Sequence, residues 1–135
     1  MPMSSMSLGA SRFSTIHGVE LQKKSVDFAR INAQACSIQN AFYHAGRVEE
    51  ILPMLPNPHC IIADPPRSGL GERIVKHEKL RHAHTFLYIS CNPATLARDL
   101  SHLLSFYTLR EIQPIDLFPH TPHIETCVLL ENNNY

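Results

Sequence analysis

Short apolar runs alternate with amphipathic stretches along most of this chain, a pattern that predicts strands alternating with helices. The apolar runs predict strands at residues 15–20, 41–44, 59–63, 85–90, 108–115 and 124–130. Apolar residues spaced three or four positions apart predict helices at residues 22–35, 48–55 and 72–80, and a further helix beginning at Pro93. Strands and helices that alternate in this way indicate a parallel α/β sheet.

Two of these elements carry sharper expectations about burial. Residues 59–63 form a nearly continuous apolar run, which is typical of a strand buried on both faces. A proline suits the first turn of a helix, so Pro93 marks a helix start. The apolar face of that helix is predicted to comprise Leu96, Leu100, Leu103 and Leu104.

Length and composition indicate one globular domain. The chain has 135 residues, of which 44% are hydrophobic and 18% charged. No run approaches the roughly 18 apolar residues that a membrane span needs. Residues 1–14 lack the cationic and apolar stretches of a secretory signal. We therefore expect a cytoplasmic protein with one domain over residues 16–131, an irregular segment at 1–15 and a tail at 132–135.

The formal net charge is zero with histidine neutral. Proteins that grip nucleic acid by its phosphates usually carry a basic surplus, because phosphate neutralisation supplies much of the affinity. Any RNA partner of this chain would therefore need other protein surface to hold it.

Four cysteines, at positions 36, 60, 91 and 127, are widely spaced and form no Cys-x-x-Cys pair. This spacing fits neither a zinc knuckle nor a small disulfide scaffold. Cys36, Cys60 and Cys127 neighbour apolar residues and are predicted to be small buried hydrophobes. Cys91 differs, because its surroundings have the sequence of a loop.

Polar groups follow several of the predicted strands. Ligands of open α/β sheets bind beyond the carboxyl ends of the strands, so Glu20, Asp64 and Cys91 are expected on one rim. Asp64 heads a turn stiffened by two prolines, which is either a ligand-binding turn or a rigid connector with a solvated acid. Cys91 precedes a helix N-terminus, which favours a nucleophilic thiolate, whereas the alternative is a buried structural cysteine.

The segment at 119–125 combines prolines, histidines and an acid. His120 and His123 have a spacing that suits a metal, but no third ligand is evident. We therefore predict no metal here and assign these histidines to hydrogen bonds that shape the loop. Glu125 stands at the mouth of an apolar strand, where partial burial would suit it to proton transfer.

Three motifs in this order are together diagnostic. They are Asp64-Pro65-Pro66-Arg67-Ser68-Gly69-Leu70, then Tyr88-Ile89-Ser90-Cys91-Asn92-Pro93 with Thr95-Leu96-Ala97-Arg98-Asp99-Leu100, then Asp116-Leu117-Phe118-Pro119-His120-Thr121-Pro122-His123-Ile124-Glu125-Thr126. The chain resembles the C-terminal catalytic part of the RNA uracil-5-methyltransferases, from about residue 16 to residue 130. The resemblance implies a Rossmann-like class I methyltransferase fold that lacks its first strand and Gly-rich loop. The missing strand would lie beside the strands that end at Glu20 and Asp64, and its loss exposes two strand edges.

The resemblance also implies roles for the site residues. Cys91 would add to carbon 6 of a uracil, and Glu125 would remove the proton from carbon 5 after methylation. Glu20 resembles the acid that holds the ribose hydroxyls of the methyl donor, S-adenosyl-L-methionine. Asp64 resembles the aspartate at the meeting point of cofactor and target base. The substrate would be a uridine of tRNA or rRNA that is flipped out or single-stranded.

Two alternatives stand beside this interpretation. The chain could be a non-catalytic remnant of such an enzyme, unable to bind the cofactor alone, because the first strand and the Gly-rich loop that would cradle the cofactor are missing. It could instead be a cysteine hydrolase in which Cys91 works with a histidine. The hydrolase interpretation explains neither Asp64-Pro65-Pro66 nor Glu125.

Overall fold

A computed structural model of the chain describes residues 12–116 and 124–135 and divides into two compact units, Met1–Leu55 and Pro56–Tyr135. The elements of the first unit are β1 (Ile16–Glu20), α1 (Lys23–Ala35), β2 (Ala41–Ala45), α2 (Val48–Ile51) and a 3-10 turn (Leu52–Met54). Those of the second unit are β3 (Cys60–Ala63), α3 (Glu72–Val75), a 3-10 helix (Glu78–His82), β4 (Thr85–Ser90), α4 (Pro93–Leu103), β5 (Tyr107–Ile115) and β6 (Glu125–Asn132).

The first unit is a strand–helix–strand crossover. Its two strands pair in parallel, in a register that joins Ile16 to Ala41 and Glu20 to Ala45. The helix between them buries one apolar stripe, as its sequence period predicts. The core cluster comprises Val26, Ala33 and Tyr43, with Ala29, Ile38 and Ala41 packed against it.

The second unit contains a four-stranded sheet in the order β3-β4-β6-β5. β3 and β4 are parallel, as predicted, but β6 runs antiparallel to both β4 and β5. The predicted α/β architecture is confirmed, but the sheet predicted to be parallel ends in the antiparallel strand β6. β5 and β6 are joined through residues 116–124, and a parallel crossover needs roughly a dozen residues or more.

The core of the second unit lies between its sheet and α4. Phe86, Tyr88 and Ser90 alternate on the buried face of β4, and Val128 and Leu130 of β6 are fully buried. These alternating positions place one face of each strand in the core, which is the arrangement expected of a half-buried sheet. From α4 the apolar side chains buried in this core are Leu96 and Leu103.

Three burial predictions are wrong. Ile62 is 56% exposed although its run was predicted to be buried on both faces, and no residue of β3 is fully buried. Leu104 is 43% exposed because it follows the end of α4 and lies outside the buried stripe. Cys36 is exposed at the C-terminal cap of α1, while Cys60 and Cys127 are half-buried.

The helix predicted over residues 72–80 is broken into two short pieces. α3 ends after one turn, and His77 takes an extended conformation. The His77 ring nitrogen Nδ1 then accepts a hydrogen bond of 3.2 Å from the Lys79 amide, which begins the 3-10 helix. None of the helices within the described ranges is long and apolar enough to cross a membrane.

Candidate active site

Cys91 lies half-buried on the tight turn that joins β4 to α4. The Ser90 hydroxyl donates to the Asn92 carbonyl at 3.0 Å and accepts from the Asn92 amide at 3.1 Å. Asn92 caps the helix, because its Oδ1 accepts from the Ala94 amide at 3.1 Å, and Pro93 follows in the first turn. The sequence prediction of a thiol between a strand and a helix N-terminus is confirmed.

Asp64 directly follows β3, the strand beside β4. The parallel register pairs Ala63 with Tyr88, so Asp64 and Cys91 leave neighbouring strands at the same end of the sheet. Adjacent strands lie about 4.8 Å apart, which brings the two loops into one region. The Asp64 side chain is exposed there.

Glu125 begins β6 and is half-buried. On one side it pairs with Ile115 of β5, and its neighbour Thr126 pairs with Ser90 of β4. Cys91 directly follows Ser90, so the carboxylate and the thiol belong to adjoining strand ends. The second unit thus brings Asp64, Cys91 and Glu125 to one end of one sheet.

A buried carboxylate that was not predicted from the sequence lies next to this end. Asp99 is 1% exposed on α4. Its Oδ2 accepts hydrogen bonds of 2.7 Å from the Leu70 amide and from the Tyr88 hydroxyl. The available signal was its spacing, since Asp99 lies three residues after Leu96 and four before Leu103 on the buried stripe.

Two side chains complete the surroundings of Asp99. The guanidinium of Arg98 donates to Asp99 Oδ1 from Nε at 3.0 Å and from Nη2 at 2.7 Å. Burial raises the pKa of Tyr88 far above its usual value, and the hydrogen bond to the Asp99 carboxylate raises it further. Tyr88 therefore stays a neutral donor to this carboxylate throughout the physiological pH range.

Glu20 lies in the first unit, at the carboxyl end of β1, and is exposed. Its Oε1 accepts a hydrogen bond of 2.8 Å from the Gln22 amide, which orients the carboxylate beyond the strand end. An oriented, exposed carboxylate can accept hydrogen bonds from the adjacent hydroxyls of a ribose, so this residue fits the predicted cofactor group. Asp64 is likewise an exposed carboxylate just beyond a strand end, that of β3.

The histidine loop of the third motif lies outside the described residues, and with it His120 and His123. Within residues 12–116 and 124–135, no three His, Cys, Asp or Glu side chains are grouped to hold a metal ion.

Comparison with known proteins identifies relatives in sequence. Residues 46–133 match the family described as tRNA (Uracil-5-)-methyltransferase. An uncharacterized RNA methyltransferase of Listeria monocytogenes is 40% identical over 126 residues, which are 90% of this chain and 28% of that protein. Another from Nitratidesulfovibrio vulgaris is 40% identical over 130 residues, with coverages of 91% and 28%. The chain thus spans less than a third of the length of the curated relatives it matches.

Solved structures share the fold. The tRNA (uracil-54, C5)-methyltransferase of Pyrococcus abyssi, in complex with S-adenosyl-L-homocysteine, superposes with a TM-score of 0.76 at 33% identity. That match covers 90% of this chain and 30% of the Pyrococcus chain. An rRNA methylase of Streptococcus thermophilus superposes with a TM-score of 0.72 over 96% of this chain and 80% of that one. At 12% identity, this likeness shows a shared fold alone.

Proposed function

Because the chain belongs to the tRNA (uracil-5-)-methyltransferase family, we propose that it carries the uracil-methylating site of an RNA methyltransferase. The observation that supports this most is the gathering of Asp64, Cys91 and Glu125 at one end of the four-stranded sheet. Methylation of carbon 5 through an adduct needs a nucleophile and a proton acceptor, and a second acid can bind the cofactor or the base.

Cys91 is the proposed nucleophile. Its thiolate sulfur forms a bond to carbon 6 of the uracil, and the electrons of the carbon 5–carbon 6 double bond move into an enolate. This step makes carbon 5 nucleophilic, which it is not in free uracil at neutral pH. The turn held by Ser90 and Asn92 presents the thiol at a fixed point beside the helix N-terminus.

Glu125 is the proposed proton acceptor. Once carbon 5 carries the new methyl group, the Glu125 carboxylate takes the remaining carbon 5 proton. The electrons of that bond restore the carbon 5–carbon 6 double bond, and the bond from Cys91 sulfur to carbon 6 breaks. The half-buried position of Glu125 at the start of β6 suits proton transfer beside the thiol.

The methyl donor of the family is S-adenosyl-L-methionine, and the Pyrococcus relative was solved with S-adenosyl-L-homocysteine. When bound, this cofactor supplies an electrophilic methyl group on a sulfonium. Glu20 is proposed to accept hydrogen bonds from the ribose hydroxyls. Asp64 is proposed to lie between cofactor and base, where its exposed carboxylate can accept hydrogen bonds from either.

The proposed substrate is a uridine in RNA. The family description and the Pyrococcus relative both name tRNA, which favours tRNA over rRNA. The neutral net charge supplies little attraction for phosphates, so we propose that further protein surface contributes most of the RNA affinity. The cytoplasmic location and a Cys–uracil adduct both stay predictions.

Transfer of a labelled methyl group from S-adenosyl-L-methionine to uridine-containing tRNA and rRNA tests the proposal. Cys91→Ala is expected to abolish transfer, because the covalent step cannot occur without the thiol. Cys36→Ala is the matched control, since this exposed cysteine lies in the first unit and should leave transfer unchanged. Transfer that persists in Cys91→Ala would contradict the mechanism.

The second candidate is a chain that retains the site but does not bind cofactor by itself. One observation favours it: among the described residues, β1 pairs with β2 alone and β3 with β4 alone. Among the described residues, β1 and β3 therefore each have one edge whose backbone N–H and C=O groups pair with no other strand. Calorimetric titration of the chain with S-adenosyl-L-methionine distinguishes the candidates, because tight binding excludes this one.

A further inference from the structure

The loop that follows Asp64 is fastened to one side of α4 through its backbone. The Arg67 carbonyl accepts hydrogen bonds from Asn92 Nδ2 at 3.1 Å and from the Thr95 hydroxyl at 3.0 Å. The Ser68 carbonyl accepts from Arg98 Nη2 at 2.8 Å. Asn92, Thr95 and Arg98 are spaced three apart, so they lie on the same side of the helix.

Asp99 lies beside this row of side chains, buried in the core. Its carboxylate holds the Leu70 amide, the Tyr88 hydroxyl and the Arg98 guanidinium at once. Arg98 in turn holds the loop through Ser68, so both branches of the network meet at Asp99. The loop approaches closely: a Cβ on Gly69 would lie 2.5 Å from Asp99 Oδ2.

The network joins the two halves of the proposed site. Tyr88 belongs to β4, three residues before Cys91, and Leu70 belongs to the loop that starts at Asp64. Asn92, which follows Cys91 directly, is tied to the same loop through Arg67. A displacement of Asp99 would therefore loosen the loop of Asp64 at Leu70 and Ser68 and leave it tied to the turn of Cys91 only through Arg67.

We propose that Asp99 is a positioning residue that fixes the Asp64 loop relative to Cys91, a role that rests on the function proposed for these two residues. It acts through Leu70, Tyr88 and Arg98 and touches none of the reacting atoms. A buried carboxylate with four donors has a defined geometry, because each donor is lost if the group turns. An exposed ion pair would not define the loop position in this way.

The test compares Asp99→Asn with Asp27→Asn in the whole chain. Asn keeps the volume but replaces one acceptor oxygen by a donor, so it cannot accept from all the present partners. Asp27 is the matched control, since it is an exposed acid 3.5 Å from Arg30. In Asp99→Asn we expect the Leu70 amide to exchange its hydrogen about tenfold faster, with no change in Asp27→Asn.

The rate of alkylation by iodoacetamide measures how reactive Cys91, the other half of the site, is. The four free cysteines react in one sample, and mass spectrometry of the digested protein measures the alkylation of each cysteine separately. In Asp99→Asn the rate at Cys91 should change by about threefold or more while the rate at Cys36 stays constant.

Methyl transfer should fall about tenfold. If the native chain transfers no methyl group, the proposed function fails, and the exchange and alkylation still decide the positioning role.

Tyr88→Phe provides a milder variant, because it removes one donor and leaves the carboxylate bound to Leu70 and Arg98. We expect a rise of about threefold in exchange at Leu70, with cooperative unfolding retained. The proposal is wrong if a folded Asp99→Asn variant has the same hydrogen exchange rate at the Leu70 amide and the same alkylation rate at Cys91 as the unsubstituted chain. If Asp99→Asn does not fold, the proposal is wrong when the Leu70 amide of Tyr88→Phe exchanges its hydrogen at the same rate as in the unsubstituted chain.

Discussion

Ser90 and Thr126 form the last residue pair between β4 and β6. The chain leaves β4 at Cys91 and enters β6 at Glu125, and both residues lie just beyond this pair at the same end of the two strands. Because the two strands are antiparallel, residues separated by more than thirty positions meet at one end of the sheet. The relationship makes a thiol and a carboxylate neighbours through the register of the sheet.

Glu125→Gln should arrest the reaction after methylation. An amide cannot take up the carbon 5 proton, so the adduct between Cys91 and the methylated base should accumulate while turnover falls about 100-fold or more. Denaturing electrophoresis of the protein with labelled RNA measures the adduct. Glu111→Gln, an exposed acid of β5, is the control. Unchanged turnover in Glu125→Gln would exclude this residue as the proton acceptor.

Gly69→Ala should destabilise the second unit more than Gly71→Ala. Both glycines have positive φ, +79° and +82°, so both substitutions strain the backbone. An added Cβ meets nothing within 4 Å at Gly71, but at Gly69 it meets the buried Asp99 carboxylate. The additional cost at Gly69 should be about 1–3 kcal/mol in the free energy of unfolding, measured with urea. Equal costs would show that the loop can move away from Asp99.

Tyr107→Phe should lower the free energy of unfolding by about 1–2 kcal/mol. The buried Tyr107 hydroxyl donates to the carbonyls of Leu80 and Ala83, at 2.5 and 3.0 Å, and Phe leaves these acceptors without that donor. Tyr135→Phe is the control, because its hydroxyl donates to the His82 carbonyl on an exposed side chain. Thermal and urea unfolding of both variants compare the losses, and a larger loss in Tyr135→Phe would contradict the expectation.

Acidification should destabilise the first unit through His17. Burial lowers the pKa of His17, and the neighbouring His44, whose Nε2 lies 3.1 Å from His17 Nδ1, lowers it further. The unfolded chain therefore takes up this proton at a higher pH than the folded one. The stabilising contribution is complete above the usual pKa of about 6.5 and is lost as pH falls through the lower, folded pKa.

Proton NMR of the His17 ring across this pH range measures the effect. We expect a titration midpoint below 6.5 in the native chain and a higher midpoint in His44→Gln, because the neighbouring positive charge is removed. His102→Gln, on the exposed side of α4, should leave the midpoint unchanged. A native midpoint above 6.5 would reverse the sign of the predicted pH dependence.

Local sequence signals predicted most of the elements because those signals act over a few residues. The helix from Pro93 illustrates this, since Asn92 and Pro93 supply its cap and first turn without tertiary help. The helix predicted from Glu72 was wrong beyond Val75, because the extended His77 interrupts it. The apolar run at 59–63 predicted a strand correctly, but the exposure of Ile62 depends on which face of β3 the rest of the fold covers.

The sequence by itself determined the strand and helix order, the family, and three of the groups proposed for catalysis and binding, Asp64, Cys91 and Glu125. The three groups each stand in a motif of their own, and the family and their expected roles follow from the resemblance that the three motifs carry together. The tertiary structure alone decided the antiparallel register that joins Ser90 to Thr126 and the burial of Asp99 against Leu70 and Tyr88. Register and burial depend on contacts between distant segments, which a local pattern of apolar and polar residues does not specify.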